Sequence, residues 1–372
     1  MKLKDYLDVD LLRKMIDLGY VNVTKHDFVD LYILNYSKMC TIDQMWNDVT
    51  EKCRGLIVDA VGNIRSLPFK KFYNYEEIQD KSIIPNLPFK AYEKMDGSLG
   101  ISYWIGNTMF LATRGSFNSE QAQIGTAILH SKGWDVLNQL DKDLTYLFEI
   151  ITQEDPKVVN YGELEEIILL AVIDTNTGKE LNIDDFRGLF ESVREYKDIT
   201  NWETLRDDID GTNREGFVIK FESGYRLKLK YQEYFELHHL LYGLTDNAIF
   251  DMLRNDQLDD LQVIIDKLPK PQQKRINYIA NMYLHSFGLI KKHCIDDFRS
   301  DFETRKDAAE YFKTCKYPSV LFAMLNGEDV TRYIWKIIAK ERKNDKHATI
   351  TTYFNIRFSF MTWPQIKSKC CN

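Results

Sequence analysis

The stretch Glu93-Lys94-Met95-Asp96-Gly97-Ser98-Leu99-Gly100 sets the frame for the rest of the chain. One lysine is followed at once by an acidic-glycine-serine turn. β-prone residues flank it, Phe89 and Tyr92 before, Ile101, Tyr103 and Trp104 after. Asp-Gly between two such runs predicts a tight turn, because glycine takes positive φ at no steric cost. Lys94 is therefore expected at a strand end, held stiffly, where its amine can meet one phosphorus atom. Taken alone, the motif reads equally well as a hairpin carrying an exposed lysine.

Outward from this stretch, short β-like runs cover Arg54 to about Lys230. They are 55–60, 64–67, 89–94, 100–104, 108–113, 145–151, 167–173, 216–222 and 225–230, and 31–36 reads as a strand before them. Turn signals such as Val61-Gly62-Asn63, Gly106-Asn107 and Ser223-Gly224 predict antiparallel meanders. Helical spacing is expected at 8–18, 119–131 and 182–196. After Tyr234 the strand signals nearly stop, and apolar spacings of three and four run through 246–253, 258–268, 272–293, 305–314, 318–325 and 330–343. The fold class read from this is α+β: a domain of antiparallel sheets over residues 1–240, then a mainly α-helical domain over 241–372. The stretch 348–360 is β-prone and has no assigned place.

With 372 residues the chain is long enough for two domains. A net charge of −7 excludes a protein that binds polyanions over its whole surface, so any nucleic-acid contact needs a local basic patch. One such patch is the run from Lys336 to Lys369. No apolar run reaches membrane-spanning length, and Met1-Lys2-Leu3-Lys4-Asp5 opens no signal peptide. The six cysteines form no CxxC pair, which excludes zinc spacing and reads as free thiols in a cytoplasmic setting.

In the β-rich half, charges recur beside strand-like neighbours: Cys53-Arg54-Gly55, Lys70-Lys71-Phe72-Tyr73-Asn74, the Lys94 stretch, Thr113-Arg114-Gly115-Ser116, Phe148-Glu149-Ile150, Arg214-Glu215-Gly216-Phe217-Val218 and Lys228-Leu229-Lys230. Glu149 is a lone carboxylate inside an apolar run, and Lys228 and Lys230 share one strand face. A lysine amine is almost wholly ammonium at neutral pH, so a nucleophilic Lys94 needs desolvation beside other cations. Arg54, Lys71, Lys228 and Lys230 are the expected source of that depression. His238-His239 diverge on a helix and are assigned nothing.

This ordered set resembles the covalent nucleotidyltransferases, the superfamily of ATP-dependent ligases and capping enzymes, and more closely the T4-type RNA ligase 1 family. Cys-Arg-Gly at 53–55, Lys-Phe-Tyr-Asn at 71–74, Gly115-Ser116 with Ser119-Glu120-Gln121-Ala122, and Ile167-Ile168-Leu169-Leu170 with Thr177-Gly178 carry the closer likeness. The resemblance implies that Lys94 takes AMP from ATP, passes it to an RNA 5′-phosphate, and a 3′-hydroxyl then displaces it, a chemistry suited to tRNA or other RNA repair by a monomer. It implies Lys228 and Lys230 at the α-phosphate, and Glu149 on a ribose hydroxyl. Adenine is expected between Tyr73 (or Phe72) and Val218, with Tyr36, Arg54, Lys71, Glu93 and Gly97 completing the nucleotide site. Mg²⁺, or Mn²⁺, is expected with Glu215 and, second, Asp96 as its carboxylates. Lys157 lies one place off the family's basic position. The alternatives are a DNA ligase or capping enzyme, which would continue into an OB-fold, and a non-catalytic RNA-binding scaffold, which would have lost Lys94, Glu215 or Lys230.

Overall fold

The computed structural model describes residues 1–152 and 157–344. The chain divides into two compact units, Met1–His239 and Leu240–Asn372. In chain order the strands of the first unit are β1 (Val21–Lys25), β2 (Leu31–Tyr36), β3 (Arg54–Asp59), β4 (Ile64–Ser66), β5 (Tyr73–Asn74), β6 (Phe89–Lys94), β7 (Ser98–Ile105), β8 (Thr108–Ala112), β9 (Leu144–Ile151), β10 (Glu166–Asp174), β11 (Glu195–Tyr196), β12 (Gly216–Phe221) and β13 (Arg226–Lys230).

They form three sheets, ordered β1-β2-β3-β4, β10-β9-β7-β8 and β11-β6-β12-β13-β5. The first is the expected meander. The other two contain the expected antiparallel hairpins β7–β8 and β12–β13, but they also join strands from distant parts of the chain, and β13 pairs with β5 in parallel. Apolar residues explain the layering. Ile33, Leu56 and Ile57 of the first sheet pack with Ile101, Tyr103 and Leu147 of the second. On the second sheet's other face, Leu111, Phe148, Ile150 and Leu169 meet Leu129 and Phe190. Leu129 belongs to the helix Glu120–Ser131, whose first turn is capped by the Ser119 hydroxyl.

The third sheet alternates cleanly. Phe217, Ile219, Phe221, Leu227 and Leu229 are buried, whereas Val218, Lys220, Arg226, Lys228 and Lys230 on the opposite face are partly open. Period-two alternation thus puts every charge of β12 and β13 on one surface.

Two expectations change here. The run 182–196 forms a short 3₁₀ turn (Ile183–Phe186) and the strand β11 rather than a helix, because β6 offers an edge to Glu195 and Tyr196. The Lys94 stretch is not a hairpin: β6 lies in the third sheet and β7 in the second, so Met95-Asp96-Gly97 carries the chain from one sheet to the other.

In the second unit, helices span Asp246–Arg254, Leu258–Asp266, Lys270–Asp297, Arg305–Thr314, Pro318–Leu325 and Thr331–Asn344. Their apolar stripes bury Phe250, Leu261, Ile276, Phe312, Leu321 and Ile334. Of the expected basic patch, Arg342 is engaged by Asp246 and Asn247. The β-prone stretch 348–360 and the patch beyond residue 344 lie outside the described residues.

Candidate active site

Strand register builds the site. Gly216 of β12 pairs with Lys94 on one side and Lys230 on the other. Two residues on, Val218 pairs with Tyr92 and Lys228, and two further on, Lys220 pairs with Lys90 and Arg226. Residues two apart share a face, so three successive cross-strand rows line one surface of the third sheet.

Glu215 joins the first row together. Lys94 Nζ donates to its Oε2 at 2.8 Å, and Lys230 Nζ lies 2.7 Å from its Oε1. The carboxylate is 3% exposed. Gly216 permits this geometry: its φ is +144°, and a Cβ there would lie 2.1 Å from the Leu229 carbonyl oxygen. No L side chain fits that place.

Above the rows lies a cavity of about 520 Å³, whose lining includes the charged Lys94, Arg54, Arg114, Glu149 and Lys228 and the apolar or aromatic Phe69, Phe72, Tyr92, Leu170, Val193 and Val218. Arg54 is deeply placed, its Nη1 is buried with no hydrogen-bond partner, and its guanidinium sits 5.8 Å from the Phe72 ring centre. Lys228 Nζ lies 4.9 Å from the same ring. A buried donor without an acceptor is costly, and an anion such as a phosphate supplies the missing partner.

Charge balance differs among the lysines. Burial, then the neighbouring Arg54, Lys94, Lys230 and Lys71, hold Lys228 well below the ordinary lysine value. Burial also disfavours the Lys94 ammonium, but Glu215 and Glu149 outweigh it and raise its pKa. The expectation that surrounding cations depress Lys94 is therefore corrected: Lys228 is the depressed amine, and Lys94 is a paired ammonium.

Glu149 stands on β9 beside the crossing between the sheets. Its Oε1 accepts from the Gly97 backbone N–H at 2.8 Å, and burial pushes its carboxyl up to about 7 against the pull of Lys94. Gly97 serves close approach rather than positive φ. A Cβ there would come within 2.6 Å of the Ile150 carbonyl oxygen and 2.7 Å of Glu149 Cγ. Lys157 donates to the Gly97 carbonyl at 2.9 Å, which gives it a place at the site despite its shifted position in sequence.

Asp96 has a different task from the expected one. Its Oδ2 accepts from the N–H groups of Val158 and Val159 at 2.9 and 3.0 Å, and its Oδ1 from the Tyr234 hydroxyl at 3.0 Å. Its own N–H donates to Tyr161 at 2.8 Å. These bonds tie the sheet crossing to the 157–161 segment and to Tyr234, and they occupy three of the carboxylate's about four acceptor positions. Among the described residues, no group of three or more His, Cys, Asp or Glu side chains is placed to hold a metal ion. This donor set does not fit a protein-caged ion. It fits a hard cation delivered on nucleotide phosphates with water in its remaining positions.

The aromatic pair separates. Phe72 faces the cavity, whereas Tyr73 donates to Glu51 at 2.6 Å and covers Lys71, whose Nζ lies 3.8 Å from its ring centre and 4.3 Å from that of Trp46. Burial lowers the Lys71 pKa. Tyr36 meets the cavity through Arg114, which hydrogen-bonds its hydroxyl. Glu93 lines the cavity, 3.7 Å from Arg214. Sequence reasoning missed Tyr92, which its spacing of two from Lys94 could have shown. It also missed Trp46, Tyr161, Leu170 and Val193, which carry no local signal.

A family model described as RNA ligase, of the T4 type, matches residues 52–235. The RNA ligase of Rhodothermus phage RM378 is 24% identical over 387 residues, covering 81% of this chain and 86% of that protein. The chain belongs to the T4-type RNA ligase family. An archaeal ATP-dependent RNA ligase structure is 14% identical, covering 90% of this ligase and 96% of that chain with a TM-score of 0.46. A Naegleria gruberi RNA ligase variant solved with ATP and Mn is 17% identical, covering 40% of this ligase and 51% of that chain at a TM-score of 0.33. The family model spans the whole cross-strand constellation of this ligase, from Cys53 through Lys230.

Proposed function

We propose that this RNA ligase uses ATP and carries AMP on Lys94 as a covalent intermediate. The observation behind this is the row Lys94–Gly216–Lys230, joined by Glu215, with Lys94 entering the lining of a cavity that has both charged and apolar walls. In the first step Lys94 Nζ, having lost a proton, attacks the α-phosphorus; a P–N bond forms and pyrophosphate leaves. An RNA 5′-phosphate oxygen then attacks the same phosphorus, the P–N bond breaks, and Lys94 regains a proton. A 3′-hydroxyl finally attacks the activated 5′-phosphate, and AMP departs as the phosphodiester forms.

The residues divide this work by charge. Lys228 and Arg54 would meet the phosphate oxygens, where fixed cations act in a site partly closed to water. Phe72 and Val218 offer one aromatic and one aliphatic face to the base, and Glu149 would hold a ribose hydroxyl. Mg²⁺, arriving on the triphosphate, would neutralise charge on the leaving pyrophosphate, and Glu215, whose two oxygens pair with Lys94 and Lys230, would act on it only through those lysines. Glu215 stabilises the Lys94 ammonium, so the amine forms when nucleotide binding loosens that pair. RNA ends are preferred to the DNA and cap substrates of the wider superfamily, since among the described residues only helices follow Lys230 and no OB-fold strands do.

The test is incubation of the full chain with α-labelled ATP and Mg²⁺, wild type beside Lys94→Ala. Label that survives alkali and is released by hot acid, as a P–N bond requires, is expected on wild type alone. Equal labelling of Lys94→Ala would overturn the assignment, and 5′-phosphate RNA strands with and without a splint then define the joined substrate.

A further inference from the structure

The third cross-strand row carries a charged group that the reaction above does not use. Glu180, at the turn after β10, meets two cations of that row: Lys220 Nζ lies 2.7 Å from its Oε1, and Arg226 pairs with its Oε2. All three are mostly buried, with 19% of Glu180, 23% of Lys220 and 14% of Arg226 side-chain surface exposed. Arg226 stacks at 4.7 Å on the ring of Phe69. Burial alone would push the Glu180 carboxyl up, but Arg226 and Lys220 outweigh it and keep it below the usual range. Glu180 and Arg226 both line the cavity, at the end remote from the row of Lys94.

The spacing gives this pair a meaning. The row of Lys220 lies four residues along β12 from the row of Lys94, roughly 13 Å at the rise of a strand. A nucleoside monophosphate tethered through phosphorus to Lys94 reaches along that line, across Val218, and presents the outer edge of its base there. The walls it passes are Phe72, Val218, Leu170 and Val193, and the Glu180 carboxylate with its partner Arg226 closes the chamber. An ionised carboxylate has about four acceptor positions and no donor. Two are taken by Lys220 and Arg226, and those left can only receive a hydrogen bond. A 6-amino purine offers an N–H there. A 6-oxo purine offers a carbonyl oxygen, which would leave two acceptors facing each other.

We propose that Glu180, fixed by Lys220 and Arg226, accepts a hydrogen bond from the 6-amino group of the bound base and selects 6-amino over 6-oxo purine nucleotides. This rests on the reading of the cavity as the ATP site. Glu180 is then a specificity residue, and Lys220 and Arg226 are positioning residues.

The experiment measures covalent labelling of the full chain by α-labelled ATP, ITP, 2,6-diaminopurine riboside triphosphate and 2-aminopurine riboside triphosphate. The two nucleotides bearing a 6-amino group are expected to label efficiently, and ITP and the 2-aminopurine nucleotide at kcat/KM lower by roughly tenfold or more. Glu180→Gln, whose amide can donate as well as accept, should shrink the ATP-to-ITP ratio by roughly tenfold, mainly through KM. A merely structural Glu180 would lower all four nucleotides alike. Efficient labelling of wild type by both ATP and ITP overturns the proposal even if the variant fails to fold. Absence of labelling by ATP itself overturns instead the reading on which it rests.

Discussion

Glu215 holds the Lys94 ammonium at 2.8 Å while its other oxygen holds Lys230, so the amine proposed as the nucleophile is held in its protonated form. The same carboxylate is nearly inaccessible to water. Removing its charge leaves two buried ammonium groups without the carboxylate they share, which is a worse state than never having buried them.

Glu215→Gln is therefore expected to lower unfolding stability by about 3–5 kcal/mol at neutral pH. The paired lysines hold the Glu215 carboxyl below its usual range despite burial. The stabilisation is thus present above the unfolded carboxylate value and lost as pH falls through the lower folded value. Urea unfolding of both proteins should converge on acidification. In the same variant, the pH at which Lys94 labelling rises should move downward, because the partner that raised its pKa is gone.

Glu149 has the opposite sign. Its folded pKa of about 7 exceeds that of an unfolded glutamate, so its neutral form suits the fold. Stability from this group is complete below the unfolded value and declines as pH rises through about 7. Between pH 5 and pH 9 the wild type should lose about 1–2 kcal/mol that Glu149→Gln does not lose, read from urea midpoints at each pH.

Gly216→Ala should be among the most damaging small substitutions. A methyl group 2.1 Å from the Leu229 carbonyl forces β12 and β13 apart in the row that carries Lys94 and Lys230. The expected cost is about 2–4 kcal/mol with loss of self-labelling. Gly224→Ala is the control: its φ of +81° also strains an alanine, but no atom lies within 4 Å of the added carbon. It should cost about 1 kcal/mol and keep labelling.

The neighbours Phe72 and Tyr73 should behave differently. Phe72→Ala removes a cavity wall and should raise the KM for ATP by roughly tenfold, with little change in stability beyond the lost packing. Tyr73→Phe breaks the bond to Glu51 and should lower stability by about 1 kcal/mol while leaving the KM for ATP near that of wild type. A larger KM effect at Tyr73 than at Phe72 would reverse this assignment.

Much of this was legible from residues alone. Strand boundaries around Phe89–Lys94 and the helices Arg305–Thr314 and Pro318–Leu325 follow from periodicity. The charged residues of the site were named because they sit at odd places in strand-like runs. What escaped was set by long-range pairing. Whether β6 and β7 form a hairpin depends on which sheet each joins, and nothing between Lys94 and Ser98 encodes that. The charge state of Lys94 depends on Glu215, 121 residues away in the chain and 2.8 Å away in space. Asp96 looked like a metal ligand by its motif, yet its partners Val158, Val159 and Tyr234 come from elsewhere in the chain.

The row Lys94–Gly216–Lys230 also has a consequence for timing. A ribosome delivers this chain from its first residue onward, and Lys94 emerges long before its neighbours in the sheet. Until β12 and β13 have been made and have docked against β6, neither Glu215 nor Lys228 and Lys230 stands beside the lysine. The nascent chain thus carries Lys94 without the neighbours its proposed chemistry needs, and the site is complete only when synthesis has passed the last strand of the sheet.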